Sequence, residues 1–347
     1  MAYTTIDDPT DYFNTLLYTG DGTSSRSITG VGFQPDWIWI KGRNQARNNT
    51  LFDSVRGVQK QIHTNKNSAE ATQTNALSSF DSDGFSVGNN TGVNENTTTY
   101  VAWNWKAGGT ASSNSNGSIT SSVSGNTTAG FSIVSYTATG STATIGHGLG
   151  AVPNWIVVKK RAGGTARDWA VYHSANTSAP ETEILYLNNT DATADSSPYW
   201  NDTAPTSSVF TVGSGNEVNE SSGNTYIAYC FAEKKGYSKF GSYTGNGASS
   251  DGPFIFTGFR PAWVMIKTTE TANDWRIFDV KRQTFNPHGK YLEANTNDAE
   301  SDSDHLDIVS NGFKIRANFG AINTSGDNHI YMAFAESPFV NSNGVPN

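Results

Sequence analysis

One phrase occurs three times in the 347-residue chain. It reads Gly32-Phe33-Gln34-Pro35-Asp36-Trp37-Ile38-Trp39-Ile40-Lys41, then Val152-Pro153-Asn154-Trp155-Ile156-Val157-Val158-Lys159, then Gly258-Phe259-Arg260-Pro261-Ala262-Trp263-Val264-Met265-Ile266-Lys267. Each time Trp follows Pro by two residues and Lys follows it by six. The surroundings recur in the same order. Upstream lie Leu17-Tyr18-Thr19-Gly20, Ser135-Tyr136-Thr137-Ala138 and Ser242-Tyr243-Thr244-Gly245. Downstream lie Leu51-Phe52-Asp53, Trp169 to His173 and Trp275 to Asp279. Next come Gly84-Phe85, Val209-Phe210 and Gly312-Phe313, then Val93-Asn94, Val218-Asn219 and Ile322-Asn323. Each copy closes on an aromatic segment, Tyr100–Trp105, Tyr226–Phe231 and Ile330–Phe334. Self-similarity at a long period has to be read as tandem modules before any other pattern. At roughly 100–110 residues a module is too long for a propeller blade of ~40–50 residues and long enough to bury its own core.

The apolar segments inside a module are short and rich in Val, Ile, Tyr and Trp. Gly, Asn, Asp and Ser interrupt them about every 8–12 residues, the punctuation of a β-sandwich. No window carries a sustained 3.6-residue apolar stripe, so helices should be few. The expected fold is all-β: three tandem β-sandwich modules, jelly-roll-like. Residues 1–12 are expected as an N-terminal docking arm and 13–109 as the first module. Residues 110–128, Ser/Gly/Asn-rich, read as a flexible or loosely ordered linker, in which Ile119 and Val123 could still form a short strand. The second module then spans 129–235, the third 236–340, and 341–347 is a tail. Only Lys234-Lys235-Gly236 separates the last two modules, which should therefore be packed rigidly together.

Composition narrows the function. Lys plus Arg is 23 against 31 for Asp plus Glu, a formal net charge of −8. An acidic chain without a basic stripe is a poor partner for nucleic acid, whose phosphates dominate such affinity. No run of ~18 apolar residues exists to span a membrane, and the first residues have neither the basic start nor the apolar stretch of a signal peptide. Cys230 is the single cysteine, so neither an intramolecular disulfide nor a multi-thiolate metal site can form. Charged residues make up 16% of the chain, below the usual ~25%; Asn, Ser, Thr and Gly take their place, as on an exterior all-β protein.

The repeated residues read first as structure. Proline opens the strand, where its missing N–H costs little. Trp37 and Trp39 then face one way and Ile38 and Ile40 the other, so the strand is buried on both faces. Trp37, Trp155, Trp263, Phe85, Phe210 and Phe313 are the expected repeat core. Lys41, Lys159 and Lys267 end the strand and are expected to reach solvent or a carboxylate. Asp81-Ser82-Asp83-Gly84 matches Asn311-Gly312 and reads as a tight hairpin turn rather than a calcium loop. Asn94, Asn219 and Asn323 read as side-chain caps of turns. The acidic run 298–307 lacks the EF-hand's glycine and distal Glu and reads as a solvated loop.

No catalytic, metal or cofactor motif stands out. The chain has no Gly-x-Ser-x-Gly elbow, no His-Glu-x-x-His and no phosphate-binding loop. Its six histidines are scattered. His173 near Asp168 resembles a base with its orienter, but Asp53 and Asp279 stand at the His173 position in the other copies. The sharper binding candidate is aromatic: Tyr199-Trp200-Asn201-Asp202 in a turn-rich loop, with Trp39, Trp103 and Trp105 as further aromatics of the first module. Such rings stack on sugar faces while amides and carboxylates bond hydroxyls. The competing reading is a core plug or subunit contact, where Tyr and Trp are also enriched.

The run Gly236-Tyr237-Ser238-Lys239-Phe240-Gly241-Ser242-Tyr243-Thr244-Gly245-Asn246-Gly247, with Asp251-Gly252-Pro253-Phe254 and Thr257 to Lys267 after it, resembles a widespread tailed-phage family abundant in marine and cyanobacterial phages. Ala2 to Pro9 with Tyr12-Phe13, and Trp200 to Phe210, resemble the same family, so the likeness covers nearly the whole chain. It implies a virion structural, fibre-like protein with no catalytic site to transfer. On it rests the expectation of a non-enzymatic protein on the virion exterior, a tail fibre or adhesin component touching the host surface. Its partners would be other virion proteins of tail or capsid, further copies of itself and a host surface glycan. A head decoration or cement protein is the alternative, and a glycan-degrading enzyme the outsider.

Overall fold

The computed structural model describes residues 3–163 and 165–346, and it is almost entirely β. Each repeat builds one large sheet in the same order. In the first it runs Phe13–Thr19, Thr99–Trp105, Trp37–Gly42, Thr50–Asp53, Lys60–His63 and Ala71–Thr72. The central pair is the Trp strand against the closing strand, antiparallel in equivalent register: Trp37 opposite Trp105, Trp155 opposite Phe231, Trp263 opposite Phe334. A small outer sheet covers one face of each large one. It holds Arg26–Thr29, Gly84–Val87 and Leu77–Asp81 in the first module, and Ala143–Gly146 with Val209–Val212 in the second. In the third, Phe254–Phe256, Gly312–Ile315 and Ser301–Val309 continue directly from the large sheet through His288–Glu293.

Strand alternation decides which core each side chain enters. Ile38 and Ile40 pack with Phe85 inside the first sandwich, Ile156 and Val158 with Phe210 inside the second, and Val264 and Ile266 with Phe313 inside the third. The alternate residues do not face solvent. Trp37, Trp39, Trp155, Val157, Trp263 and Met265 all join one central cluster fed by all three modules. Trp105, Phe231 and Phe334, equivalent positions on the three closing strands, form a triangle with ring centroids 6.4, 5.5 and 5.7 Å apart. They mark a pseudo-threefold axis about which the modules are arranged as a ring. Each strand buried on both faces thus serves two cores, one within its module and one shared.

Local devices recur with the repeats. Tyr18, Tyr136 and Tyr243 stack on Tyr100, Tyr226 and His329, and donate to the carbonyls of Val93, Val218 and Ile322. The buried amides of Asn94, Asn219 and Asn323 accept from the N–H groups of Asp21, Thr139 and Asn246, holding the glycine turn after each opening strand. Gly84 and Gly312 close tight hairpins; a Cβ there would lie 2.0 Å from the carbonyl of Ile28 or Ile255, so no larger residue fits.

Three segments differ from expectation. Residues 110–128 are not a loose connection: Ser112–Asn114 and Ser121–Asn126 extend the second module's large sheet. Backbone pairing at a sheet edge asks for few apolar side chains, and only Ile119 and Val123, buried in the second module's core, mark it within a Ser/Gly/Asn composition. Residues 3–12 are laid on the third module, with Ile6 in the central cluster and the Tyr3 hydroxyl donating to Gly258 O at 2.9 Å. Ser342 donates to the Asp7 carboxylate beside them. The acidic run 298–307 is largely strand rather than a solvated loop, since Ser301–Val309 begins inside it and runs past its end.

Candidate functional site

The modules meet at three seams, and at each the same positions meet. Lys41, Lys159 and Lys267 are fully buried and reach neither solvent nor a carboxylate. Each donates across its seam to a backbone carbonyl of the neighbouring repeat: Thr296 at 3.0 Å, Asn67 at 2.7 Å and Thr190 at 3.1 Å. Burial pushes their pKa values down to about 7, about 7 and about 8. Trp169 and Trp275 donate across two seams, to His63 O and Tyr186 O. At the third, Asn49 donates to Glu293 O and Ala294 O instead.

Further out, two seams carry a chain of charges. Between the second and first modules the Tyr229 hydroxyl donates to Asp53 at 2.6 Å. Asp53 pairs with the buried Arg56, which reaches Glu70 at 3.3 Å, and Glu70 receives a two-pronged contact from Arg161 at 2.9 and 3.2 Å. Between the first and third modules the Trp103 indole N–H donates to Asp279 at 3.0 Å. Asp279 pairs with Arg282, which reaches Glu300 at 3.2 Å, and Glu300 receives Arg43 at 2.9 and 3.0 Å. Each buried charge of these two chains has an opposite charge beside it, as burial requires.

The seam between the third and second modules has the same backbone and different chemistry. Met332 stands where Trp103 and Tyr229 donate, so no N–H or O–H is offered. His173 replaces the aspartate and holds Tyr331 O at 3.1 Å through Nε2, while its Nδ1 accepts from Ala175 N–H at 3.0 Å. Asn176 replaces the arginine, and Thr193 and Thr269 replace the Glu and the forked Arg. Thr193 N–H donates to Thr269 O at 2.8 Å, the bond that Glu70 makes to Arg161 and Glu300 to Arg43. Thr193 Oγ1 donates to Asn176 at 2.8 Å. The members change together because any one charge left alone would be buried and uncompensated.

Two threonines fill less space than an Arg–Glu fork, and this seam opens as a cleft of about 540 Å³ lined by Asn176, Thr177, Glu183, Thr193, Thr269, Glu270 and Asn328. Glu183 occupies the position of Lys60 and Lys290 in the other modules. Glu270 accepts from Asn328 N–H at 3.0 Å, and the Asn328 amide donates to Asn176 O at 3.0 Å. Hydroxyls, amides and two carboxylates on a rigid rim can bond the hydroxyls of a neutral polar ligand. His173 takes no part as a base: both ring nitrogens are committed, and burial pushes its pKa down to about 4.

The aromatic candidates lie elsewhere. Trp39, Trp103 and Trp105 are in the central cluster and offer no face to a ligand. Trp200 is also buried, edge-on to Tyr172, in the short helix Ser197–Trp200. Tyr199 is half-buried, its hydroxyl 2.6 Å from that of Tyr186. Only Asn201 and Asp202 are exposed, both in left-handed backbone. The sugar-stacking role is therefore corrected for the tryptophans: strand alternation turns Trp39, Trp103 and Trp105 inward, and the short helix packs Trp200 against Tyr172. Trp200 does touch the cleft indirectly, since its indole N–H donates to Glu183 O at 2.9 Å and braces that wall. The cleft residues escaped sequence reasoning. Their signal was the loss, in the second and third copies, of an Arg and a Glu that the other seams retain.

The family model of a domain of unknown function, DUF7483, matches residues 8–338. No curated protein matches the chain.

Proposed function

The chain belongs to the DUF7483 family, and we propose that it is a non-enzymatic structural protein of a tailed-phage virion exterior, an adhesin-like component that holds a host-surface glycan in the seam between its second and third modules. The observation that carries this reading is the asymmetry of the ring. Two seams carry buried Arg–Asp–Glu networks, and the third has hydroxyls and amides in their place and opens as a cleft lined by groups suited to sugar hydroxyls. The resemblance of Gly236 to Lys267 and of Trp200 to Phe210 to tailed-phage proteins supports the virion setting.

The test uses the molecule's own way of closing a seam. Thr269→Arg with Thr193→Glu installs the Arg–Glu fork of the other two. Against a panel of host-surface oligosaccharides, the wild-type protein gains stability from a binder, about 2.7 kcal/mol at a hundredfold excess over Kd. The double variant stays folded and loses that gain. A gain retained in the double variant, or none with any oligosaccharide, overturns the glycan assignment.

A ring of three like modules also suits a threefold position on a capsid, which favours head decoration as the second reading. Copy number per purified virion separates the two. A handful to a few dozen copies supports the tail appendage, whereas hundreds support decoration.

A further inference from the structure

The outer sheets expose the same strand edge three times, and the three modules treat it differently. Ile28, Ile145 and Ile255 are equivalent, each paired with the phenylalanine of the next strand, Phe85, Phe210 and Phe313. Because hydrogen-bonding direction alternates along an antiparallel strand, the residues on either side of that isoleucine turn their N–H and C=O toward the open edge. In the first module these are Ser27 and Thr29, polar and next to Arg26. In the second they are Thr144 and Gly146, and a strap of the same chain covers them: Ile119 N–H donates to Thr144 O, Ser118 Oγ accepts from Thr144 N–H, and Ser121 Oγ donates to Gly146 O.

In the third module they are Phe254 and Phe256, 50% and 57% exposed. Thr257 N–H donates to Asn311 O and Ile315 N–H to Pro253 O, which directs Ile255 to the sheet interior and leaves the backbone of both phenylalanines facing outward. Among the described residues no strap lies over them. A short edge strand is normally blunted by charge, proline or cover; this one has two aromatic rings instead.

We propose that Phe254–Phe256 is where two copies of this chain associate, the two edge strands pairing antiparallel about Ile255. The edge is complementary to itself. With Ile255 on the twofold axis, Phe254 faces Phe256 of the second copy, and each pair exchanges two N–H···O bonds. The four rings then form two cross-strand aromatic pairs on the outer face, the pairing that favours strand association. Electrostatics does not oppose it, although the chain is acidic overall: the flanking Lys314 is paired with Asp251. A three-residue edge makes a small contact, so the dimer is a weak one, with a dissociation constant on the order of 0.1 mM.

Sedimentation equilibrium from about 1 µM to about 1 mM spans such an affinity. The wild-type chain should shift from monomer to dimer across that range. Phe256→Pro removes an N–H that no bond among the described residues uses and should stay monomeric throughout. Should that variant fail to fold, cysteine pairing keeps the proposal open to refutation, since Cys230 is buried. A mixture of F254C and F256C proteins should oxidise to the mixed dimer, the paired Cα atoms being about 5.5 Å apart. F254C alone should not, because its two copies sit a diagonal apart. A wild-type chain monomeric to the top of the range, or F254C cross-linking with itself as readily as with F256C, overturns the proposal.

Discussion

At the residue scale, the seam charges show what a buried ion pair does here. Arg56 and Arg282 are fully buried opposite Asp53 and Asp279. Asp279→Asn removes the closer of the two carboxylates that hold the buried Arg282 guanidinium, leaving Glu300 at 3.2 Å, and turns the Trp103 N–H to a neutral acceptor; it should cost about 3–5 kcal/mol in urea unfolding. Exchanging Trp103, Asp279, Arg282, Glu300 and Arg43 together for Met, His, Asn, Thr and Thr, the residues of the neutral seam, should cost less than that single change. Contacting residues are not additive, and the third seam demonstrates that the neutral set packs. A five-fold variant that loses as much stability as Asp279→Asn alone, or more, would contradict this account.

The titratable groups give a second residue-scale prediction. Burial lowers the pKa of all six histidines, to about 4 for His63, His173 and His305. The unfolded chain binds those protons near 6.5 and the folded chain resists, so stability falls as pH drops from about 6.5 toward 4. The three seam lysines act in the same sense at higher pH. Neutral when folded above about 8 but charged when unfolded up to about 10.5, they make stability rise with pH between about 7 and about 10. Buried tyrosines such as Tyr18 and Tyr136, whose pKa burial raises, reverse the trend above about 10. Thermal midpoints across pH 4–11 check the shape, and a flat profile below pH 6 would contradict neutral buried histidines.

At the scale of elements, legibility followed locality. The Trp strand was readable because Pro, the alternating apolar residues and the closing Lys all lie within seven positions, and period-2 burial on both faces is written in them. The glycine hairpins and the asparagine caps were readable for the same reason. The linker was legible only in part: Ile119 and Val123 marked a short strand, whereas the rest of its pairing runs through backbone groups and serine hydroxyls that carry no strand signal. Thermolysin checks the outcome. Ile119 and Val123 are the strap's apolar residues, both nearly buried, and the native protein should resist cleavage there; rapid cutting at either would restore the flexible linker. The candidate cleft was hidden by distance, since Thr193 and Thr269, or Asn176 and Asn328, meet only when modules assemble. The repeats still held the clue, but only to a comparison of copies at the seam positions, where a pattern of absence carries the information.

For the whole molecule, the tryptophans that define the repeat also join the repeats. Each large sheet turns one face into its own sandwich and the other into a shared cluster, so no module buries all its apolar surface alone. Trp37 illustrates the sharing: its ring lies 5.1 Å from Tyr229 and 5.8 Å from Phe231, both of the second module. Trp37→Ala should cost about 3–5 kcal/mol, as for a large aromatic lost from a core. The loss should register in all three modules rather than one.

Differential scanning calorimetry of the intact chain tests that sharing most directly. Three modules around one core should unfold in a single transition, with calorimetric and van't Hoff enthalpies equal, and Trp37→Ala should lower that one transition as a unit. Two or three resolved transitions, with Trp37→Ala shifting only one of them, would mean independent modules and would contradict the shared core.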